Sequence, residues 1–216
     1  KDIAKQLLLQ AGVPVARSTM NELLHRTSAL LAPIWMRLLD VIRSRDVVLA
    51  DETRLRILKD ASGKPKTGFV WVFGAADTDG GFDVAYKFAD SRSGAIPKAA
   101  LEGTTGVLLV DGYSGYNDVE RVSSRRRAGC FAHVRRYFFE SLKTAPMAQD
   151  ALDLIAELYR VEHEAKERKL SEAEHLELRK TRAGPIRDCL KSWLDDHAER
   201  VPPKSPLGTA IRYTLA

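Results

Sequence analysis

Residues 47–58 read VVLADETRLRIL, and the period of that stretch decides the fold. Val47, Leu49, Asp51, Thr53, Leu55 and Ile57 fall on one face, and Glu52, Arg54 and Arg56 on the other, which is the twofold alternation of a β-strand. Asp51 therefore stands on the face that is otherwise apolar. An ionised, unpaired carboxylate on a covered strand face costs on the order of several kcal/mol. Something must compensate it, either a buried hydrogen bond or ion pair, or a cation.

Two more strands follow, at residues 69–76 (FVWVFGAA) and 82–88 (FDVAYKF), joined by the turn DTDGG at 77–81. The three form an antiparallel meander. A short helical stretch around 96–101 leads to GVLLV at 106–110, a continuous apolar run of the kind a strand buried on both faces requires, which ends at Asp111. Three antiparallel strands, a helix and a fourth, buried strand is the order of a ribonuclease H-like α/β fold, a mixed sheet in which parallel strands follow the meander. Its first strand is central and neighbours the fourth, so Asp51 and Asp111 are expected to converge from sixty positions apart (111 − 51). Two carboxylates that close repel, and one takes up a proton unless a cation compensates. Hard oxygen ligands favour magnesium or manganese over zinc, and a pair of such ions activates an attacking oxygen while stabilising a leaving one. Asp111 followed by Gly112 is equally an ordinary strand-ending turn.

Outward from this core the chain reads as helical. Residues 1–45 form an N-terminal helical segment: Ile3, Leu7 and Leu8 line a face that stops at the breaker run 12–14. A second helix opens with capping-box spacing at Thr19 and Glu22 and carries Leu23, Leu24, Leu30, Leu31, Leu38, Leu39 and Ile42 as an apolar stripe, with a bend expected at Pro33. The pair has a helix-turn-helix flavour, although helical hairpins that only pack are commoner. On the C-terminal side, a short strand at 128–130 precedes helices at 131–143 and 151–167, the latter with Leu154, Ile155 and Leu158 on one side. Ser171 and Glu174 form another capping box. Pro185 opens a helix whose apolar face is Ile186, Cys189, Leu190, Trp193, Leu194 and His197, and Ser205 with Pro206 starts a last one. The expected division is a helical segment at 1–45, a ribonuclease H-like core at 46–145, a helical insertion at 146–204 and the start of a final helix at 205–216.

Hydrophobic residues make up 44% and charged residues 29% of the chain, which excludes a largely disordered protein. No stretch approaches the roughly 18 apolar residues of a membrane span. Cys130 and Cys189 are the only thiols, and the start resembles no signal peptide, so a reducing cytoplasm is the expected setting. A chain that begins at Lys1 rather than methionine reads as a fragment. Net charge is +5 with a pI near 9.2, and its distribution is uneven. Residues 117–143 hold seven basic side chains (Arg121, Arg125, Arg126, Arg127, Arg135, Arg136, Lys143) against three acidic ones (Asp118, Glu120, Glu140), a balance of 7 − 3 = +4. Residues 150–200 hold ten basic and thirteen acidic, 10 − 13 = −3. Positive charge gathers just after the second aspartate, where a polyanionic strand needs neutralising. Arg125, Arg126, Arg127, Arg135 and Arg136 are the candidate phosphate contacts, the alternative being a solvated loop and helix face.

Cys130 and His133 have the spacing of a metal pair, but only Cys189 and distant histidines remain to complete four ligands. A role beside the carboxylates, or simple packing, fits them better than structural zinc. His25, His163 and His175 lie in charged surroundings, and Trp35, Trp71 and Trp193 read as core.

Four strings in order, LADET at 49–53, LLVDGYSGY at 108–116, CFAHVRRYFFE at 130–140 and SPLGTAIRYTLA at 205–216, resemble the insertion sequence 66 family of bacterial transposases. The resemblance covers roughly residues 13–216. It implies a DDE transposase, in which two aspartates and one glutamate hold two magnesium or manganese ions. Water then cuts at the element ends, and the freed 3′ hydroxyl attacks target DNA. Asp51 matches the first aspartate and Asp111 the second, while Cys130 and His133 match the family's Cys-x-x-His element. The implied partners are element-end and target DNA and further copies of the protein, in a nucleoid-associated, cytoplasmic setting. The family's glutamate follows the SPLG segment by a few dozen residues, within an Asn-Asn-x-x-Glu motif that this sequence does not reach. Glu140, Glu157 and Glu199 lie on helices and none matches it, so the chain as given is expected to be catalytically incompetent or nearly so. Two alternatives remain: a non-catalytic DNA-binding or assembly module, and a nuclease on the same fold without strand transfer.

Overall fold

A computed structural model describes residues 6, 9, 10, 12, 15–57 and 66–215. The face expected from Ile3, Leu7 and Leu8, and the turn after it, lie outside the described residues. Helix α1 (Arg17–Arg43) runs unbroken through Pro33. Its N-cap is Ala16 with no side-chain cap, so Thr19 sits inside the helix and the expected capping box with Glu22 does not form. The apolar stripe is real but mostly open. Ile42 is its buried residue, whereas Leu23, Leu24, Leu30, Leu31 and Ile34 are exposed. Trp35, expected in the core, is half-buried and donates its indole N–H to the Tyr86 carbonyl at 2.8 Å.

Next come β1 (Val47–Ile57), β2 (Lys66–Ala76) and β3 (Phe82–Ala89), then α2 (Ala95–Leu101) and β4 (Thr105–Val110). A 3₁₀ turn (Ser114–Tyr116), α3 (Asn117–Val122) and β5 (Ser124–Gly129) follow. The strands form one mixed sheet in the order β3-β2-β1-β4-β5. β1 runs antiparallel to β2, with Asp51 opposite Val72 and Glu52 opposite Trp71, and β2 antiparallel to β3. β1 runs parallel to β4, matching Val47 with Val107, Val48 with Leu108 and Leu49 with Leu109. Gly106 allows that approach. Its φ is +108°, and a Cβ there would collide with the Asp46 carbonyl, the same oxygen that accepts Val107 N–H at 2.6 Å. Val48, Ala50, Trp71, Phe73, Ala75, Ala85 and Leu108 are buried on the sheet, backed by Ile42, Leu101, Tyr116 and Val119.

The chain divides into two compact units, residues 1–109 with 114–127, and residues 110–113 with 128–216. The second holds α4 (Phe131–Ser141), α5 (Ala148–Glu167), α6 (Glu172–Leu178), a π turn (Arg179–Ala183), α7 (Gly184–Ala198) and α8 (Pro206–Leu215). Its core gathers Val134, Phe138, Ala148, Ala151, Ile155, Leu190, Leu194, Leu207, Ala210 and Ile211. Burying each large aliphatic side chain contributes about 1.5–3 kcal/mol. Ser171 caps α6 in a full capping box with Glu174, as the spacing predicts. On α7 the face centres on Leu190 and Leu194. Trp193 is half-buried, edge-on to Phe138 at 5.9 Å and stacked on His197 at 4.1 Å, while Cys189 is exposed rather than part of that face. Among the described residues no helix is long and apolar enough to cross a membrane.

Candidate carboxylate site

The first aspartate and its neighbour have exchanged the roles their alternation suggests. Asp51 is exposed, as are Val47 and Leu55 on its face, each 46% accessible. The covered face of β1 is the other one, with Val48, Ala50 and then Glu52, whose side chain is only 1% exposed. Compensation for a buried acid is present there. Arg92 Nε donates to Glu52 Oε1 at 2.6 Å with a second guanidinium nitrogen at 2.5 Å, and the phenol of buried Tyr116 donates to Oε2 at 2.6 Å. Trp71, opposite Glu52 in the sheet, meets the Tyr116 ring edge-on at 6.0 Å. The expectation of an acid on a covered face is thus met by Glu52 and corrected for Asp51. Asp51 Oδ1 accepts the backbone N–H of Glu52 at 2.9 Å, and its carboxylate faces outward from a strand whose opposite side is anchored.

The second aspartate ends a strand. Asp111 is half-buried and follows Val110, the last residue of β4. Hydrogen bonds from both sides hold the turn it begins. Val110 O accepts Cys130 N–H at 3.0 Å, Asp111 Oδ1 accepts Tyr113 N–H at 2.9 Å, and Gly112 N–H donates to the phenol oxygen of Tyr213 at 3.0 Å. In the sequence, Asp51 and Asp111 each come two residues after the paired Leu49 and Leu109.

The five candidate arginines separate. Arg125, Arg126 and Arg127 lie on β5 rather than in a loop, so alternation sends the first inward. Arg125 is 2% exposed. Its Nε donates to Thr104 Oγ1 at 2.7 Å, Nη1 to the Val107 carbonyl at 3.1 Å, and Nη2 to the carbonyls of Arg43 at 2.7 Å and Arg45 at 3.1 Å. Burial, and then the charge of Arg43, pull its pKa down, with Asp46 opposing them. A guanidinium so engaged ties the end of α1 and the start of β1 to β4, and the expectation that it contacts phosphate is corrected. Arg126 is exposed. Arg127 is half-buried and donates to Asn117 Oδ1 at 2.5 Å, while its backbone N–H donates to Glu120 at 3.0 Å. Arg135 and Arg136 are exposed on α4, with the Arg135 guanidinium 6.0 Å from the Phe139 ring centre.

Cys130 is the N-cap residue of α4, and His133 N–H donates to its carbonyl at 3.1 Å, so the Cys-x-x-His spacing forms the first turn of a helix. Burial first, and then the Cys130 thiol, push the Tyr159 phenol up, with Arg135 acting the other way. Among the described residues, no group of three or more His, Cys, Asp or Glu side chains is arranged to hold a metal. Neither Glu140, Glu157 nor Glu199 thus completes a three-ligand set.

Sequence reasoning misses Glu52 for a physical reason. VVLA at 47–50 is apolar at four consecutive positions and gives no parity, so only residues 53–57 distinguish the faces, and there the strand is largely exposed. It misses Tyr213 because a contact 101 residues away from Gly112 leaves no local pattern.

A mixed five-stranded sheet with helices at both ends, and with aspartates on β1 and just past β4, defines an α/β protein. The chain belongs to the Transposase IS66 family, which it matches over residues 4–216. It is also similar to three uncharacterised proteins of Sinorhizobium fredii (strain NBRC 101917 / NGR234). Protein y4jD is 32% identical over 223 residues, covering 98% of this chain and 43% of that protein. Protein y4qI is 32% identical with 97% and 41% covered, and y4hP is 24% identical with 94% and 40% covered. The chain therefore spans about two-fifths of the length of these relatives.

Proposed function

We propose that Asp51 and Asp111 are two ligands of a divalent-metal site that cleaves and joins DNA strands, on a ribonuclease H-like core spanning residues 46–145. The observation that carries this reading is the register of β1 and β4. The strands are parallel neighbours, paired as far as Leu49 and Leu109, and each aspartate follows its leucine by two residues in the sequence. Strand order supports it, since a meander with its first strand central and next to the fourth is the order expected of that fold.

Both groups are carboxylates, a hard-oxygen donor set that suits magnesium or manganese. When bound, such ions supply an activated oxygen nucleophile and stabilisation of the leaving oxygen. The protein's own residues set the stage. Glu52, Arg92 and Tyr116 fix the strand beneath Asp51, and the bonds around Val110, Gly112 and Tyr113 fix the turn that carries Asp111. Arg126, Arg135 and Arg136 present exposed forked donors suited to phosphate oxygens. The third carboxylate is assigned to the part of a longer protein that these residues do not include, as the lengths of the relatives suggest.

The lack of a three-ligand cluster among the described residues favours one other reading, a module that binds DNA or assembles without cleaving it. Magnesium-dependent nicking of element-end DNA separates the two. The 216 residues alone should cleave weakly or not at all, and a longer protein containing them should cleave efficiently. Loss of an outer-shell partner alone costs metal sites about 10–100-fold, so Asp51→Asn or Asp111→Asn should lower the rate by at least about 100-fold. Undiminished cleavage in Asp51→Asn would refute the assignment, and DNA binding without any uptake of magnesium or manganese would favour the module.

A further inference from the structure

We propose that Tyr213 is a positioning residue for Asp111, holding the backbone that aims this carboxylate at its cation. The proposal rests on the reading of Asp111 as a metal ligand and adds a residue that no sequence motif assigns to the site.

Asp111 sits where the chain leaves the sheet, and its aim is set by the backbone of residues 110–113. Two of the bonds that order this turn come from nearby structure: the carboxylate's own bond from Tyr113 N–H, and the Val110 carbonyl's bond from Cys130 N–H where α4 begins. Gly112 N–H bonds elsewhere. Its partner is the phenol oxygen of Tyr213, at 3.0 Å, on α8. The ring closes over the glycine, since a Cβ added at residue 112 would lie 2.6 Å from Tyr213 Cε2. The absence of a side chain at Gly112 and the presence of an aromatic ring at 213 are thus one fit.

Tyr213 is itself held in place. Leu207, Ala210 and Ile211 bury α8 in the helical core, Tyr213 packs against the same cluster, and the rings of Tyr137 and Tyr213 lie 4.5 Å apart. Burial pushes the phenol's pKa up, the bond from Gly112 opposes this, and the charge of Asp111 adds to the rise. The phenol oxygen accepts the Gly112 N–H. Metal ligation tolerates oxygen displacements of only about 0.2 Å. A turn that loses the partner of its central amide samples wider geometries, and the cost falls on cation affinity rather than on global stability.

The test is Mn2+ binding to the full chain, read by the loss of free-ion signal in electron paramagnetic resonance, together with amide hydrogen exchange at Gly112 and thermal unfolding. Tyr213→Phe keeps the ring and removes one oxygen. It should weaken Mn2+ binding by about 10-fold and speed Gly112 exchange, with an unchanged unfolding midpoint. Gly112→Ala should weaken Mn2+ similarly by displacing the ring. Asp111→Asn should abolish binding at the site. Full loss in Asp111→Asn with no change in Tyr213→Phe would overturn the role of Tyr213 alone. Unchanged binding in Asp111→Asn would overturn the ligand assignment itself, and this proposal with it.

Discussion

Glu52 and Asp51 are adjacent carboxylates with opposite environments, and the difference follows from which face of β1 is covered. Glu52 is satisfied by a guanidinium and a phenol, an arrangement that holds an ionised group inside a sheet layer. Asp51 faces outward on a strand held from behind. Arg125 and Arg126 repeat this contrast on β5. Removing the Arg125 side chain strips hydrogen bonds from the carbonyls of Arg43, Arg45 and Val107. Arg125→Ala should therefore lose at least about 3 kcal/mol of stability in urea unfolding. Arg126→Ala should leave stability within about 0.5 kcal/mol and lower the salt dependence of DNA binding by about one phosphate contact. An Arg126→Ala protein with an unchanged salt slope would show that this side chain only faces solvent.

At the scale of elements, the helical unit is fastened by charge as well as by apolar packing. Glu162 on α5 receives both ends of the Arg179 fork, Nε at 2.7 Å and Nη2 at 2.5 Å, and lies 3.1 Å from the His175 ring nitrogen. These contacts join α5 to α6 and to the π turn that follows it. The hydrogen bond from Arg179 leads in holding the Glu162 carboxyl below its ordinary value of 4.5, against desolvation, which acts the other way. Because the folded pKa is the lower one, the stabilisation is complete above the unfolded value and disappears as pH falls through the folded value. Thermal midpoints measured from pH 6 downward should drop below about pH 4.5, and Glu162→Gln should be less stable at pH 6 with a shallower decline. Parallel pH profiles for the two proteins would contradict this. Glu162 is partly exposed, so the effect is modest and screened by salt.

At the scale of the molecule, the strands of the sheet and the main C-terminal helices are legible in the sequence because period and punctuation are local signals. Alternation marks the meander, GVLLV marks a strand covered on both sides, and Ser171 with Glu174 marks a helix start that forms as expected. Thr19 with Glu22 has the same spacing without the outcome, since the helix already begins at Arg17 and a threonine within it caps nothing. The aspartates' places in the order of elements, on β1 and just past β4, are legible too, but the covered face is not, since Asp51 is exposed and Glu52 fills it. Their supporting groups are not, because Arg92, Tyr116, Tyr213 and the inward turn of Arg125 depend on pairings between distant parts of the chain.

Two aspartates can share a cation only if their carboxylates converge, and crystals grown with Mn2+ test this most directly through the ion's anomalous scattering. The expected result is a manganese peak with a carboxylate oxygen of Asp51 and one of Asp111 each at about 2.1 Å. Carboxyl groups separated by more than about 10 Å, the width of a helix, with no peak between them, would contradict it.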